Sequence, residues 1–560
     1  MSVFIGYPSF MAYQMMKGKK GNNDDDFPSI SGIIARYSAL GLTNEQMAAN
    51  PVWVDKTGNG HDLQMKNFAW GGMSGIGGYV ENYNYNRWVK SAVRADITFT
   101  DHSFNVTSVK INQAQFYYQS SGGEQPFTVP SGTVIVKGLT DRQVLEYIYT
   151  DIEGIHVFTI KNDGIYTLPS FEFIAKGAYY GFQFNKVQES CNITIEQLPL
   201  YPGFILGDGV DDFAVTENNL DLEDTYTIYT PLILLKYGGV VCGKNSDKDF
   251  SLNTVISSKS IGFDSANAWS GSIPVDLFEF VLVACKRSPQ TMYVKDLVTG
   301  KSNQNKSKEF VPNPRKYFVW RNVGDIWCQV AIAGQIICNG YYSTDEDDEK
   351  VLDWYKKQYP WLFFDQAWTV VGKTNEDEDR ATIANITGNG NDLVLSNFGF
   401  AEGSGYNEEG EYAGYLVTDG VDDKITSSTF EMGNDWTVIG DWELINTGKN
   451  DNAGIVKFDS IVIYNYNPIL INIKNGRNNL IPDQNTVNAI CSDGRIYSKD
   501  WKESIYNEET ESTSKNLLTI GYSGNSYTKI AFKNLAIYPT VLSKEDCIKA
   551  YNYLQTLKAK

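Results

Sequence analysis

Histidine is the scarcest catalytic resource in this 560-residue chain: His61, His102 and His156 are the only three, and none is near another in sequence. That leaves little material for an imidazole-based zinc site or for a His-dependent triad. Cysteine is sparse as well. Cys191, Cys242, Cys285, Cys328, Cys338, Cys491 and Cys547 are odd in number, scattered and without a CxxC pair, and most lie in apolar strand-like stretches. Buried free thiols are therefore expected. Positive charge is also short, with 48 Lys and Arg against 67 Asp and Glu and a net charge of −19. No basic cluster interleaved with aromatics offsets it, so nucleic acid is not an expected partner. No run approaches the ~20 apolar residues of a membrane helix, and membrane insertion is not expected. The first residues lack the basic start, apolar core and small-residue cleavage site of a signal peptide. GxSxG, HExxH and a glycine-rich phosphate loop between strand and helix are all missing.

What is present points to strands. Forty-nine Gly and 35 Tyr, with clusters of Asn and Asp, favour turns and β-structure, and the expected class is all-β. A chain of this length suggests about three or four domains. Two phrases occur twice. VDKTGNGHDL around Thr57 returns as IANITGNGNDL around Thr387, an offset of 330; ILGDGVDDFAVT around Asp208 returns as VTDGVDDKIT around Asp419, an offset of 211. The first copy thus carries 119 more residues between its two phrases. A third echo closes each copy: STDEDDEKVLDWYKKQ from Ser343 and SKEDCIKAYNYLQTLK from Ser543. The pattern is two homologous modules, the first split by an insertion.

The boundaries follow. Residues 1–28 form an aromatic and Met-rich arm with a polar linker, which either packs on a neighbouring chain or folds back on its own module. Residues 29–81 with 199–362 form the first module, 82–198 the insertion, and 363–560 the second module. Inside the insertion, ADITFTD, GTVIVKGL, LEYIYTD, HVFTIKNDGIYTL, YYGFQF and CNITIEQL alternate apolar and polar residues, which predicts a small β-sandwich, with Asn162-Asp163-Gly164 as a hairpin turn. Each module ends in a helix. Ser343 with Glu346, and Ser543 with Asp546, have capping-box spacing, and Val351, Leu352 and Tyr355, like Ile548, Tyr551 and Leu554, fall on one helical face. The TNEQ stretch after SGIIARYSALGL reads as a polar loop.

The DGVDD strand, the late KNLAIYP strand and the LSKEDCIKAYNYL helix together resemble laminin-G-like, concanavalin A-like jelly-roll modules. With TNEDEDRATIANITGNGNDL, the CNITIEQLPLYP exit from the insertion and the two DGVDD strands, residues Ser29 to Lys558 further resemble multi-module proteins of bacteriophages and prophages of gut Bacteroides. The resemblance implies two concanavalin A-like jelly-roll sandwiches, the first interrupted by a small β-sandwich. It implies a virion location, as a fibre, ring or decoration component that assembles with other virion proteins as a homo-oligomer, a trimer by analogy with phage fibres. Contact with bacterial surface polysaccharide fits such a protein. The alternatives are a polysaccharide depolymerase and a purely structural assembly protein without a ligand.

Candidate sites are few. Asp208, Asp211 and Asp212, and their counterparts Asp419, Asp422 and Asp423, suit tight turns at strand starts; the alternative is calcium ligation, since laminin-G-like relatives often hold that ion and hard cations take several oxygens. No other cofactor is implied. Tyr406, Tyr412 and Tyr415, in SGYNEEGEYAGY, have the composition of a lectin loop that stacks a sugar ring, or of ordinary core packing. Glycosidases need two carboxyl groups facing each other across the bond, but no Glu-x-Asp-x-Glu strand occurs, and Glu376 to Asp379, Asp345 to Glu349 and Glu508 to Glu511 read as loops or helix starts. No catalytic residue is expected.

Overall fold

A computed structural model describes residues 26–560 except 91–94, 110–113, 121–125, 140–143, 153, 175–177, 186–189, 245–249, 266–267, 311–314, 322–326, 402, 409–411, 446–453, 459–460, 465–469, 474–476, 481–486, 499–500, 506–515 and 524–525. The expected N-terminal arm lies almost wholly outside the described residues, as does the acidic run at Glu508 to Glu511. The chain is all-β: two concanavalin A-like sandwiches, with a small β-sandwich inserted into the first. It divides into a compact unit Asn23–Trp354 and a second unit that includes Tyr355–Lys560.

In the first unit, strands from both sides of the insertion share sheets. Gly75–Ile76 pairs with Ile205–Asp208, Leu63–Lys66 with Phe213–Thr216, and Ile33–Ser38 with Gly334–Asn339, all antiparallel. A nine-stranded sheet centred on Tyr226–Leu234 and an eight-stranded sheet from Val52–Trp53 to Ala268–Pro274 result. Every residue of Tyr226–Leu234 is buried, as expected of a strand covered on both faces. The core between the sheets holds Trp53 stacked on Trp320, ring centroids 5.9 Å apart, and the Trp320 indole donates to the Val330 carbonyl.

The helix Asp345–Gln358 is fastened by a buried ion pair. Lys286 donates to Asp348 Oδ2 at 2.8 Å and to the Ser343 carbonyl at 3.1 Å, while the Tyr229 hydroxyl donates to Asp348 Oδ1 at 2.9 Å. The Ser343 hydroxyl donates to Asp348 Oδ1, and the cap lies one residue later than its spacing predicts. Thr344 Oγ1 accepts from the Asp347 amide, and Asp347 Oδ2 accepts from the Thr344 amide, which closes a reciprocal box. Ser543, by contrast, accepts from the Asp546 amide as expected. The TNEQ stretch is a short helix, Asn44–Ala49, with a Thr43–Gln46 capping box, and not a loop.

The insertion folds as two five-stranded sheets around a core rich in Phe and Tyr. One sheet runs Gly164–Leu168, Gly132–Lys137, Ile193–Gln197, Ser103–Val109, Ala95–Phe99; the other runs Gly154–Ile160, Val144–Asp151, Tyr179–Asn185, Ala114–Gln119, Trp88–Lys90. The Asn162-Asp163-Gly164 step is therefore a corner between sheets and not a hairpin. Gly164 does not take a positive φ. The Asp163 carboxylate instead accepts from the Gly138 and Leu139 amides at 2.9 and 2.7 Å, and so steers the chain across to the second sheet.

Hydrogen bonds hold the chain where it enters and leaves the insertion. Gln197 accepts from the Glu81 amide and donates to the Glu81 carbonyl, both at 3.0 Å, so one amide side chain satisfies both backbone groups at the entry. The Leu200 and Tyr201 amides donate to the Gly78 and Gly77 carbonyls.

In the second unit, an eight-stranded sheet from Gly405–Asn407 to Glu503–Ile505 faces another running from Thr382–Ile383 to Arg477–Leu480. Trp368, Trp436 and Trp442 fill the core. Cys547, Ala550, Tyr551 and Leu554 are buried along the helix Lys544–Leu554, whereas Ile548 is only half-buried.

Candidate functional site

The repeated phrases fold into the same turns, hydrogen bond by hydrogen bond. At TGNG, Asp55 Oδ1 accepts from the Arg36 amide and from the Thr57 amide and hydroxyl; Asn385 Oδ1 accepts from the Ala367 amide and from the Thr387 amide and hydroxyl. Asp and Asn exchange here because each offers the same acceptor oxygen. Gly58 and Gly60, and Gly388 and Gly390, all have φ between 74° and 83°, where a Cβ is strained. Both sites are turns.

The aspartate phrases repeat just as closely. Asp208 Oδ1 accepts from the Val210 and Asp211 amides, and Asp212 Oδ2 from the Asp208 amide; Asp419 Oδ1 accepts from the Val421 and Asp422 amides, and Asp423 Oδ2 from the Asp419 amide. In each trio one ligating oxygen per residue lies within 4.8 Å of the others, close enough for a cation. Yet Asp208, Asp212, Asp419 and Asp423 each spend an oxygen on the loop's own amides, and the Asp211 and Asp422 side chains are exposed. Burial, reinforced by neighbouring carboxylates, pushes the Asp212 and Asp423 carboxyls up to about 6. Turn chemistry accounts for these contacts without an ion.

The three tyrosines do not form one platform. Tyr406 is a core residue, 3% exposed, whose hydroxyl donates to the Arg380 carbonyl. It stands where Ile76 stands in the first module: Ile76 pairs with Ile205 and Tyr406 with Leu416, and each amide donates to the side-chain oxygen of an asparagine, Asn44 or Asn375. The position is one of the interior, which removes Tyr406 as a sugar-stacking ring. Tyr412 and Tyr415 are half-buried and meet edge-on at 6.4 Å, and the Tyr415 hydroxyl donates to Asp441 Oδ1.

Two acidic features at the base of the insertion escaped the sequence reading. Glu45, Asp101 and His102 converge there, with His102 Nδ1 2.8 Å from Asp101 Oδ1 and its ring stacked on Tyr79 at 4.8 Å. The Asn44 side chain, from the host, donates to Asp101 Oδ2, so this cluster joins host to insertion. Glu81 accepts from the Tyr180 hydroxyl at 2.6 Å and the Trp88 indole at 3.3 Å, and burial raises its carboxyl to about 7. Such a pKa suits a general acid, but the void beside it measures about 10 Å³, the space of a single water. Among the described residues that void leaves no room for a substrate, and the contacts of Glu81 tie it to the aromatic core.

A larger depression, about 270 Å³, lies on the insertion and is lined by Gln115, Tyr117, Gln119, Ser120, Ala178 and Tyr179. In AQFYYQ, Gln115, Tyr117 and Gln119 alternate with the inward Ala114, Phe116 and Tyr118, a pattern that marks an outer face but not a hollow.

No family model and no curated protein matches the chain. Among solved structures, it aligns with a botulinum neurotoxin serotype D binding domain at 12% identity and a TM-score of 0.27, over 62% of this chain and 90% of that one. The serotype D ligand binding domain in complex with N-acetylneuraminic acid aligns at 10% identity and a TM-score of 0.26, over 61% and 88%. Trypanosoma rangeli sialidase in complex with sialic acid aligns at 7% identity and a TM-score of 0.23, over 47% and 62%. These scores are too low to signify a common chain trace, and the fold assignment rests on the strand pairing above.

Proposed function

We propose that the protein is a non-catalytic structural component of a bacteriophage particle, a fibre, ring or decoration protein whose sandwich modules pack against other virion proteins and touch bacterial surface glycans. The observation that carries this reading is the fate of the acids. Asp208, Asp212, Asp419 and Asp423 are committed to turn amides, Asp348 to a buried ion pair, Glu81 to an aromatic core and Asp101 to the insertion joint. Carboxyl groups held in this way by the protein's own donors are not the free, opposed pair that glycoside hydrolysis requires. The duplicated module and its resemblance to phage proteins of gut Bacteroides support a building role.

The test uses the purified chain and capsular polysaccharide from a Bacteroides host. Retention of the polysaccharide without shortening is the expected result. Shortening would make the protein a depolymerase, and neither effect would leave an assembly protein without a ligand. Immunogold labelling of intact particles should decorate the virion; unlabelled particles would overturn the assignment.

A further inference from the structure

The depression on the insertion has the features of a ligand site. In the strand Ala114–Gln119, Phe116 and Tyr118 point into the core, so Gln115, Tyr117 and Gln119 stand on the outer face. The neighbouring strand Tyr179–Asn185 places Tyr179, Gly181 and Gln183 on that same face, in register with Gln119, Tyr117 and Gln115 respectively. Gly181 sets the relief. Its φ is +148°, and a Cβ there would lie 2.5 Å from both the Phe116 carbonyl oxygen and Tyr117 Cα, so the position opposite Tyr117 stays without a side chain. The Tyr117 and Tyr179 rings meet edge-on at 5.8 Å and 70°, and form one wall of the hollow.

The polar groups are held in place. Gln115 Nε2 donates to Gln183 Oε1 at 2.8 Å, and Gln183 Nε2 donates to Glu146 Oε2 at 3.1 Å. Asn185 also donates to that Glu146 oxygen, so the carboxylate is occupied by amides of its own sheet. The Tyr117 and Tyr179 hydroxyls have no protein partner among the described residues, and Gln119 is exposed.

All six lining residues are uncharged, in a chain whose net charge is −19. A phosphate or a carboxylated sugar finds no counter-charge in that lining, and a cation finds no carboxylate. An apolar partner would bury the amides of Gln115 and Gln119 without hydrogen bonds, which is unfavourable. A neutral sugar fits both halves of the surface: its C–H face packs on a tyrosine ring, and its hydroxyls, each both donor and acceptor, match side-chain amides and phenols. A shallow hollow of about 270 Å³ is below the usual range for a deep small-molecule pocket and suits part of a chain that runs on across the sheet. We propose that this face binds a neutral polysaccharide, stacked on Tyr117 and Tyr179 and bonded through its hydroxyls by Gln115 and Gln119. The proposal rests on the glycan-contact reading above and gives it a location and a ligand class.

Affinity electrophoresis of the full chain tests it, in native gels containing mannan, dextran, xylan or mixed-linkage β-glucan, with alginate and heparin as anionic comparators. Retardation in at least one neutral gel is expected, weakened about tenfold or more by Tyr117→Ala and by Tyr179→Ala, as for aromatic anchors at binding sites generally. Tyr117→Phe, which keeps the ring, should stay within about threefold of the parent, and Tyr412→Ala should change nothing. Gln119→Glu, at an exposed position that cannot unfold the sheet, should weaken binding several-fold and guards against reading a folding defect as a binding one. Retardation by a neutral glycan that survives all three site variants overturns this site but leaves glycan contact elsewhere standing. Retardation only by alginate or heparin overturns the neutral ligand. No retardation in any gel overturns both this site and the glycan-contact reading.

Discussion

Replacing Lys286 with Met tests whether the buried ion pair, and not apolar packing alone, holds the closing helix of the first module. Both partners are 3% exposed, and Lys286 makes two hydrogen bonds that Met cannot, to Asp348 and to the Ser343 carbonyl. Met keeps nearly the same length and volume, so little cavity opens. What remains is a carboxylate without its counter-charge, a loss that costs about 3 to 5 kcal/mol. Lys295 softens it. Its ammonium stands 3.7 Å from Asp348 Oδ2 at 23% exposure and retains part of the compensation, which places the expected cost near the lower figure, about 3 kcal/mol. The unit Asn23–Trp354 has about 330 residues, so its unfolding entropy is about 0.7 kcal/mol/K and its melting midpoint should fall by about 4 °C. Scanning calorimetry of the full chain reads the shift. Adding Asp348→Asn should then recover at least half of it, because the neutral amide still accepts from Tyr229 and no longer needs a cation. A Lys286→Met midpoint within about 1 °C of the parent, against ordinary effects of this kind, would refute the reasoning.

The Asp212 and Asp423 carboxyls, raised to about 6 against an unfolded value of about 3.9, favour the protonated folded form. Their contribution to stability is full below about pH 4 and is lost as pH rises through 6, so Asp212→Asn should raise the melting midpoint more at pH 8 than at pH 4.5. Calcium at about 5 mM should leave the parent's midpoint unchanged; a rise that Asp212→Asn abolishes would instead establish an ion in the loop. Gln197→Ala strands both backbone groups of Glu81 and should cost about 1 to 3 kcal/mol, read as faster proteolysis at the joint near residues 81 and 198. If the protein assembles as a trimer through its N-terminal arm, deleting residues 1–25 should yield monomers by light scattering; an unchanged mass would remove the arm from the assembly.

Repetition made the fold legible. A phrase written twice points to a repeated module without any knowledge of what the phrase does, and the turns at Thr57 and Thr387 proved alike down to single acceptors. Isolated turn signals carried less. Asn162-Asp163-Gly164 has the residues of a hairpin, but local composition does not say which sheet receives the next strand, and that was decided by the Asp163 contacts with Gly138 and Leu139. Ser343 had cap spacing, yet its hydroxyl is turned to the buried Asp348 carboxylate, and the cap moved to Thr344. The candidate site was the least legible. For Tyr406 the composition of its loop left a lectin ring and core packing both open, and alignment with Ile76 marks its position as interior. The outer face at Gln115, Tyr117 and Gln119 required knowing which strand lies beside it, since the hollow exists only because Gly181 is the cross-strand partner of Tyr117.

The joint at Ile76 and Ile205 also says something about how such chains acquire new parts. The uninterrupted module closes the same gap with a short connection between Asn407 and Tyr415, and the paired strands on either side keep the same partners in both modules. A whole additional domain is thus carried between strands that the other module joins by a short link. That link in the second module is a ready socket for grafting a recognition domain of choice.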